Sequence, residues 1–110
     1  NPDIEILDFK MPKQVNMDQS FEFLFTIKAN ENCKIIADYI IHFQNKAGIM
    51  ANKKIFKIKN TTLIKGEKLT IVKKYMFRKN MTTRKIFHGK HAIEIQINGR
   101  NYHKELFLVK

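Results

Sequence analysis

The chain has 110 residues, of which 44% are hydrophobic and 28% charged, with a formal net charge of +11 and a single cysteine. This length fits one domain, expected over residues 1–110, with enough core to fold without disulfides or metals. The composition excludes a disordered chain, and the apolar runs Ile35-Ile36-Ala37 and Phe107-Leu108-Val109 are far shorter than the roughly 20 residues a bilayer requires. Cys33 has no partner for an internal disulfide, which favours a reducing, cytoplasmic setting and a merely structural thiol. No signal peptide or lipidation motif is visible and the sequence starts at Asn1, so it reads as an excised piece or a mature fragment.

The periodicity is close to two throughout, the mark of half-buried strands. The first predicted strand is Ile4 to Phe9, ended by Met11-Pro12. After the polar stretch Asn16 to Ser20, Phe21, Phe23, Phe25 and Ile27 alternate with Glu22, Leu24, Thr26 and Lys28, the clearest strand of the chain. Asn30-Glu31-Asn32 is a turn. It leads into Lys34 to Phe43, with Ile35, Ala37, Tyr39, Ile41 and Phe43 on one side and Asp38 and His42 on the other.

Past a loop at Lys46-Ala47-Gly48 comes a lysine-rich strand, Lys53 to Lys59, whose charges deter edge-to-edge pairing. Lys65-Gly66-Glu67 turns into Lys68 to Arg78. There Leu69, Ile71, Tyr75 and Phe77 keep one parity and Lys73 interrupts it, which predicts a bulge or an edge position, because an unpaired buried ammonium is costly. A basic connection, Lys79 to Lys85, follows. His91, Ile93, Ile95 and Ile97 then alternate into Asn98-Gly99, a strong hairpin signal, with Tyr102 to Val109 as the partner strand.

About seven short strands separated by polar turns predict an all-β, immunoglobulin-like sandwich of antiparallel strands without a disulfide, with His91 at the position where such folds often place a corner tyrosine. The expected core is Phe21, Phe23, Phe25, Tyr39, Ile41, Ile71, Ile93, Ile95 and Leu106.

Catalytic constellations are thin. Ser20, the only serine, lies in a polar turn with no neighbouring histidine. The carboxylates are scattered, and no glycine-rich phosphate loop is present. His88, His91 and His103 suggest a zinc site, but strand alternation puts the first two on opposite faces. No catalytic residue, metal or cofactor is therefore expected, and Asn60-Thr61-Thr62 and Asn80-Met81-Thr82 read as chance glycosylation triplets.

Charge is the strong anomaly. Residues 1–52 hold five lysines and seven acids, whereas residues 53–90 hold thirteen Lys and Arg against the single acid Glu67. Such segregation creates a positive field suited to phosphate backbones or acidic partners. Candidate contacts to a DNA backbone are Lys53, Lys57, Lys59, Lys74, Arg78, Lys79, Arg84 and Lys85, on the outer parity of their strands or in the basic connection. Phe56, Tyr75 and Phe77 share the core parity, so no base-stacking apparatus is visible.

The strings Ala37-Asp38-Tyr39-Ile40-Ile41-His42, Lys54 to Lys59, Met81-Thr82-Thr83-Arg84-Lys85 and Gly89 to Gly99 resemble the C-terminal segment of some bacterial DNA alkylation repair proteins built on HEAT-like helical repeats. The resemblance covers roughly the last three quarters of the chain. It implies a non-catalytic accessory domain with duplex DNA and an upstream helical-repeat domain as partners; a monomer is expected, and the short apolar runs point to no membrane partner. It carries over no catalytic residue, since the glycosylase residues of that family belong to the repeats. The other reading is an immunoglobulin-like protein-interaction or spacer module whose lysines only solvate it.

Overall fold

The computed structural model describes residues 3–79 and 86–110. Eight strands account for the described fold: β1 (Ile4–Lys10), β2 (Gln14–Val15), β3 (Ser20–Ala29), β4 (Cys33–Phe43), β5 (Asn52–Leu63), β6 (Lys68–Met76), β7 (Gly89–Ile97) and β8 (Arg100–Val109). They form a three-stranded sheet in the order β1-β3-β6 and a five-stranded sheet in the order β2-β8-β7-β4-β5. All pairings are antiparallel except the two-residue β2 rung, which lies parallel to β8. That rung is the element the sequence reading missed, being too short to show an alternation.

The odd-numbered residues of β3 and β4 meet between the sheets. Phe23, Phe25, Ile27, Ile35, Ile41 and Phe43 have 0–1% of their surface exposed, as do Ile93, Ile95 and Ile97 from β7. Leu106, expected in this core, is instead 51% exposed. The β7–β8 register shifts between Ile95 and Gln96, so β8 contributes Phe107 and Val109 to the interior and turns Leu106 outward opposite Ala92. Three consecutive apolar residues, Phe107-Leu108-Val109, leave the parity of this strand ambiguous until the register is known.

The Asn98-Gly99 hairpin forms with both residues at positive φ, 50° and 81°, the geometry that makes this dipeptide favourable in a two-residue turn. Lys73 pairs with Phe23 in an unbroken β3–β6 ladder. Of the two explanations for the interrupted parity it is the edge position that holds, because β6 is the outer strand of its sheet.

β5 runs four residues beyond its expected end. A register shift between Ala37 and Asp38 pairs Asp38 with Lys57 and Ala37 with Lys59, leaving Ile58 as the extra residue. This bulge restores an inward parity for Leu63, which is buried at the far end of the strand.

Candidate nucleic-acid interface

β5 and β6 are the free edges of their sheets and lie on the same flank of the sandwich, where the rings of Phe56 and Tyr75 meet at 5.3 Å. The opposite flank is closed by β1 and β8 through Phe9 and His103, whose rings are 4.3 Å apart. The β5–β6 flank carries the lysines of both edge strands, while β1 exposes Glu5 and Asp8 and His103 bonds Glu105 at 3.0 Å.

The proposed phosphate contacts do not share one face. Lys53 and Lys57 stand opposite His42 and Asp38 on the outer face of the large sheet, whereas Lys74 stands opposite Glu22 on the outer face of the small one. The bulge at Ile58 turns Lys59 to the inner parity, aligned with Ala37, so its expected outer parity is corrected. Lys59 is nevertheless exposed, because inward-pointing side chains of an edge strand reach solvent along the open flank.

Lys54 and Lys73, which the sequence reading left out, occupy that same flank. Lys54 is exposed, with Nζ 5.1 Å from the centroid of the Phe56 ring, and Lys73 is half-buried. The signal that could have found them is their inward parity on strands too lysine-rich to be central. By register, Lys53 and Lys57 thus lie to one side of the flank, Lys54, Lys59 and Lys73 point along it, and Lys74 lies to the other.

Beyond β6 the chain is anchored at Asp18, a residue at φ 63° whose N–H donates to the Phe77 carbonyl (2.7 Å) and whose Oδ1 accepts from the Lys79 N–H (3.0 Å). Arg78 and Lys79 are exposed at this point. Arg84 and Lys85 lie outside the described residues.

Where the chain returns, His91 is fully buried among Phe43, Phe77 and Phe107. Its Nδ1 accepts from the Gln44 N–H at 3.2 Å, which leaves Nε2 to donate to the Phe87 carbonyl at 2.8 Å. This is the work expected of a corner residue, a buried ring bonded to backbone a few positions upstream. Desolvation pushes the His91 pKa down, against backbone hydrogen bonds that pull it up.

His42, expected at the surface beside Asp38, makes a 2.6 Å bond to Glu94 on the outer face of the large sheet. Among the described residues no group of three or more His, Cys, Asp or Glu is placed to hold a metal ion, and no helix is long and apolar enough to cross a membrane. Burial raises the Cys33 thiol pKa, reinforced by Glu31 and Asp3, the direction that lowers its thiolate fraction.

Two facing sheets of three and five strands, antiparallel but for the β2 rung, have the architecture of an immunoglobulin-like sandwich. Residues 5–110 match the family described as "Uncharacterised protein YhaZ, C-terminal Ig-like domain", and the chain belongs to that family. A relative from Bacillus subtilis (strain 168), "Uncharacterized protein YhaZ", is 34% identical over 88 residues, covering 80% of this chain and 24% of its own length. The chain thus spans about a quarter of that relative.

Among solved structures, the Pseudomonas fluorescens alkylpurine DNA glycosylase AlkC, bound to DNA containing an abasic site analog, superposes with a TM-score of 0.92 at 25% identity. That match covers 99% of this chain and 31% of the glycosylase. A β-glucosidase from Listeria innocua superposes at 0.77 with 18% identity over 98% of this chain and 16% of the enzyme. The latter likeness is one of fold alone.

Proposed function

We propose that this domain is a non-catalytic accessory module of a DNA alkylation repair protein, and that its β5–β6 flank contacts the DNA backbone without reading sequence. What supports this reading is the gathering of Lys53, Lys54, Lys57 and Lys59 on one free sheet edge and Lys73 and Lys74 on the other, on the same flank. Phosphates are bound by such ammonium groups through charge and counterion release, with no demand on base identity. The close superposition on a glycosylase bound to DNA supports the repair context, which would place the protein in the cytoplasm. An upstream helical-repeat domain of the same chain would then carry the excision chemistry.

The test is a titration of labelled duplex DNA at two salt concentrations. Contact with about three to five phosphates predicts a log–log salt slope of roughly −3 to −5 and an affinity no better than about micromolar at physiological salt. Reversing Lys57, Arg84 and Lys85 to Glu weakens binding and leaves the fold intact. An absence of binding at low salt, or binding indifferent to the reversal, contradicts the reading.

A second reading, an interaction or spacer module, is favoured by the outer face of the large sheet. Leu106 and Leu108 are 51% and 38% exposed there. With Lys13, Gln14 and Lys90 they line an open depression of about 450 Å³, a surface suited to a neighbouring protein domain.

A further inference from the structure

Phe56 and Tyr75 have the core parity expected of them and pack against the core, but on edge strands they are only half-buried and keep part of their surface at the lysine-rich flank. Phe56 is held on three sides. Tyr39 stacks with its ring at 4.8 Å and 12°, Tyr75 meets it edge-on at 5.3 Å and 73°, and the Lys54 ammonium stands over the ring, 5.1 Å from its centroid. Tyr39 is buried and fixes the plane of the Phe56 ring by stacking, while Lys54, the cation over that ring, is itself exposed. Along the same flank Ile58, Lys59, Thr70, Ile71 and Lys73 line an open groove of about 420 Å³.

We infer that this flank is a stacking platform for an unpaired strand of DNA. The inference rests on the backbone-contact reading and narrows it. A base lies on Phe56 in place of the Lys54 ammonium, which swings to the adjoining phosphate, and the strand follows the groove past Lys59 and Lys73. An aromatic face beside a cationic groove is the combination by which single strands are held irrespective of sequence, since every base presents a π face. A duplex keeps those faces inside its own stack and engages only the lysines. An acidic peptide likewise offers carboxylates to the lysines and nothing to the ring.

The experiment compares three labelled probes by fluorescence anisotropy: an oligothymidylate of about ten nucleotides, a hairpin duplex of similar charge, and a polyglutamate peptide. Phe56→Leu is expected to weaken oligothymidylate binding roughly fivefold or more, the loss of one stacked base, and to change duplex and peptide binding less than about twofold. In the unsubstituted protein, which removes any concern over folding, the Phe56 ring protons should move upfield on adding oligothymidylate and stay in place on adding duplex. Equal weakening of all three probes, or ring protons that do not move, overturns the platform while leaving duplex contact standing. Failure of both nucleic acids to bind overturns the platform and the backbone reading together.

Discussion

His91 donates from Nε2 to the carbonyl of Phe87, 2.8 Å away, with none of its ring surface exposed. The bond ties the start of β7 to the chain that returns from the basic connection, and it requires the neutral ring, because the other nitrogen already accepts from Gln44. The depressed pKa makes this a source of pH dependence. The unfolded chain takes up the proton first, so the stability from His91 is fully present above about pH 6.5 and is lost as pH falls towards the lower folded value. Urea unfolding between pH 7.5 and 5.5 should show the midpoint falling with acidification. His91→Gln, which keeps a donor for Phe87 and an acceptor for Gln44, should flatten that fall. A midpoint equally sensitive in both proteins would contradict it.

Gly89 sits beside this corner at φ 131°, and a Cβ built there would stand 2.6 Å from Gln44 Nε2. The Gln44 side chain is not free to yield, since its Oε1 accepts from the Lys90 N–H at 2.6 Å. Gly89→Ala should therefore cost about 1–3 kcal/mol in strain and a broken hydrogen bond, measured by denaturant unfolding. A loss within experimental error would show that Gln44 is replaceable by solvent.

Phe23 and Ile95 face each other's sheets with 1% and 0% of their surface exposed. Truncating either to Ala should cost about 2–5 kcal/mol by emptying a packed site. Leu106→Ala should cost no more than about 0.5 kcal/mol, because that side chain already meets solvent. The contrast tests the β8 register directly, since an inward Leu106 would respond like Phe23.

Much of this arrangement is legible in the sequence. Alternation alone locates β3, β4 and β7, because one face of each is a row of Phe or Ile, and Asn98-Gly99 fixes the hairpin between β7 and β8. Two of the three register shifts bear on these residues and were not legible. One turns Leu106 outward and Phe107 inward, and the other moves Lys59 from the outer parity to the inner. A bulge depends on how the neighbouring strand runs, which the strand's own residues do not encode.

The site was legible as charge and not as geometry. The excess of lysine between residues 53 and 90 is plain, but whether those side chains share a face depends on which sheet each strand joins. The order of strands puts Lys57 and Lys74 on opposite faces and brings Lys54, Lys59 and Lys73, all of inner parity, to the open flank between them. Phe56 and Tyr75 were read as having the core parity, and both do pack against the core. Parity points them inward, and only their place on edge strands exposes them.

The most direct measurement of the proposed interface is a map of backbone amide shifts as a short duplex is added at low salt. The account predicts perturbations concentrated on Lys53–Lys59 of β5 and on Lys73–Lys79 of β6 and its continuation, fading as salt is raised. The β1–β8 flank, from Glu5 to Phe9 and from Tyr102 to Glu105, should stay unmoved. Shifts confined to that opposite flank, or to the outer face around Leu106 and Leu108, would contradict the assignment of the β5–β6 edge as the DNA-contacting surface.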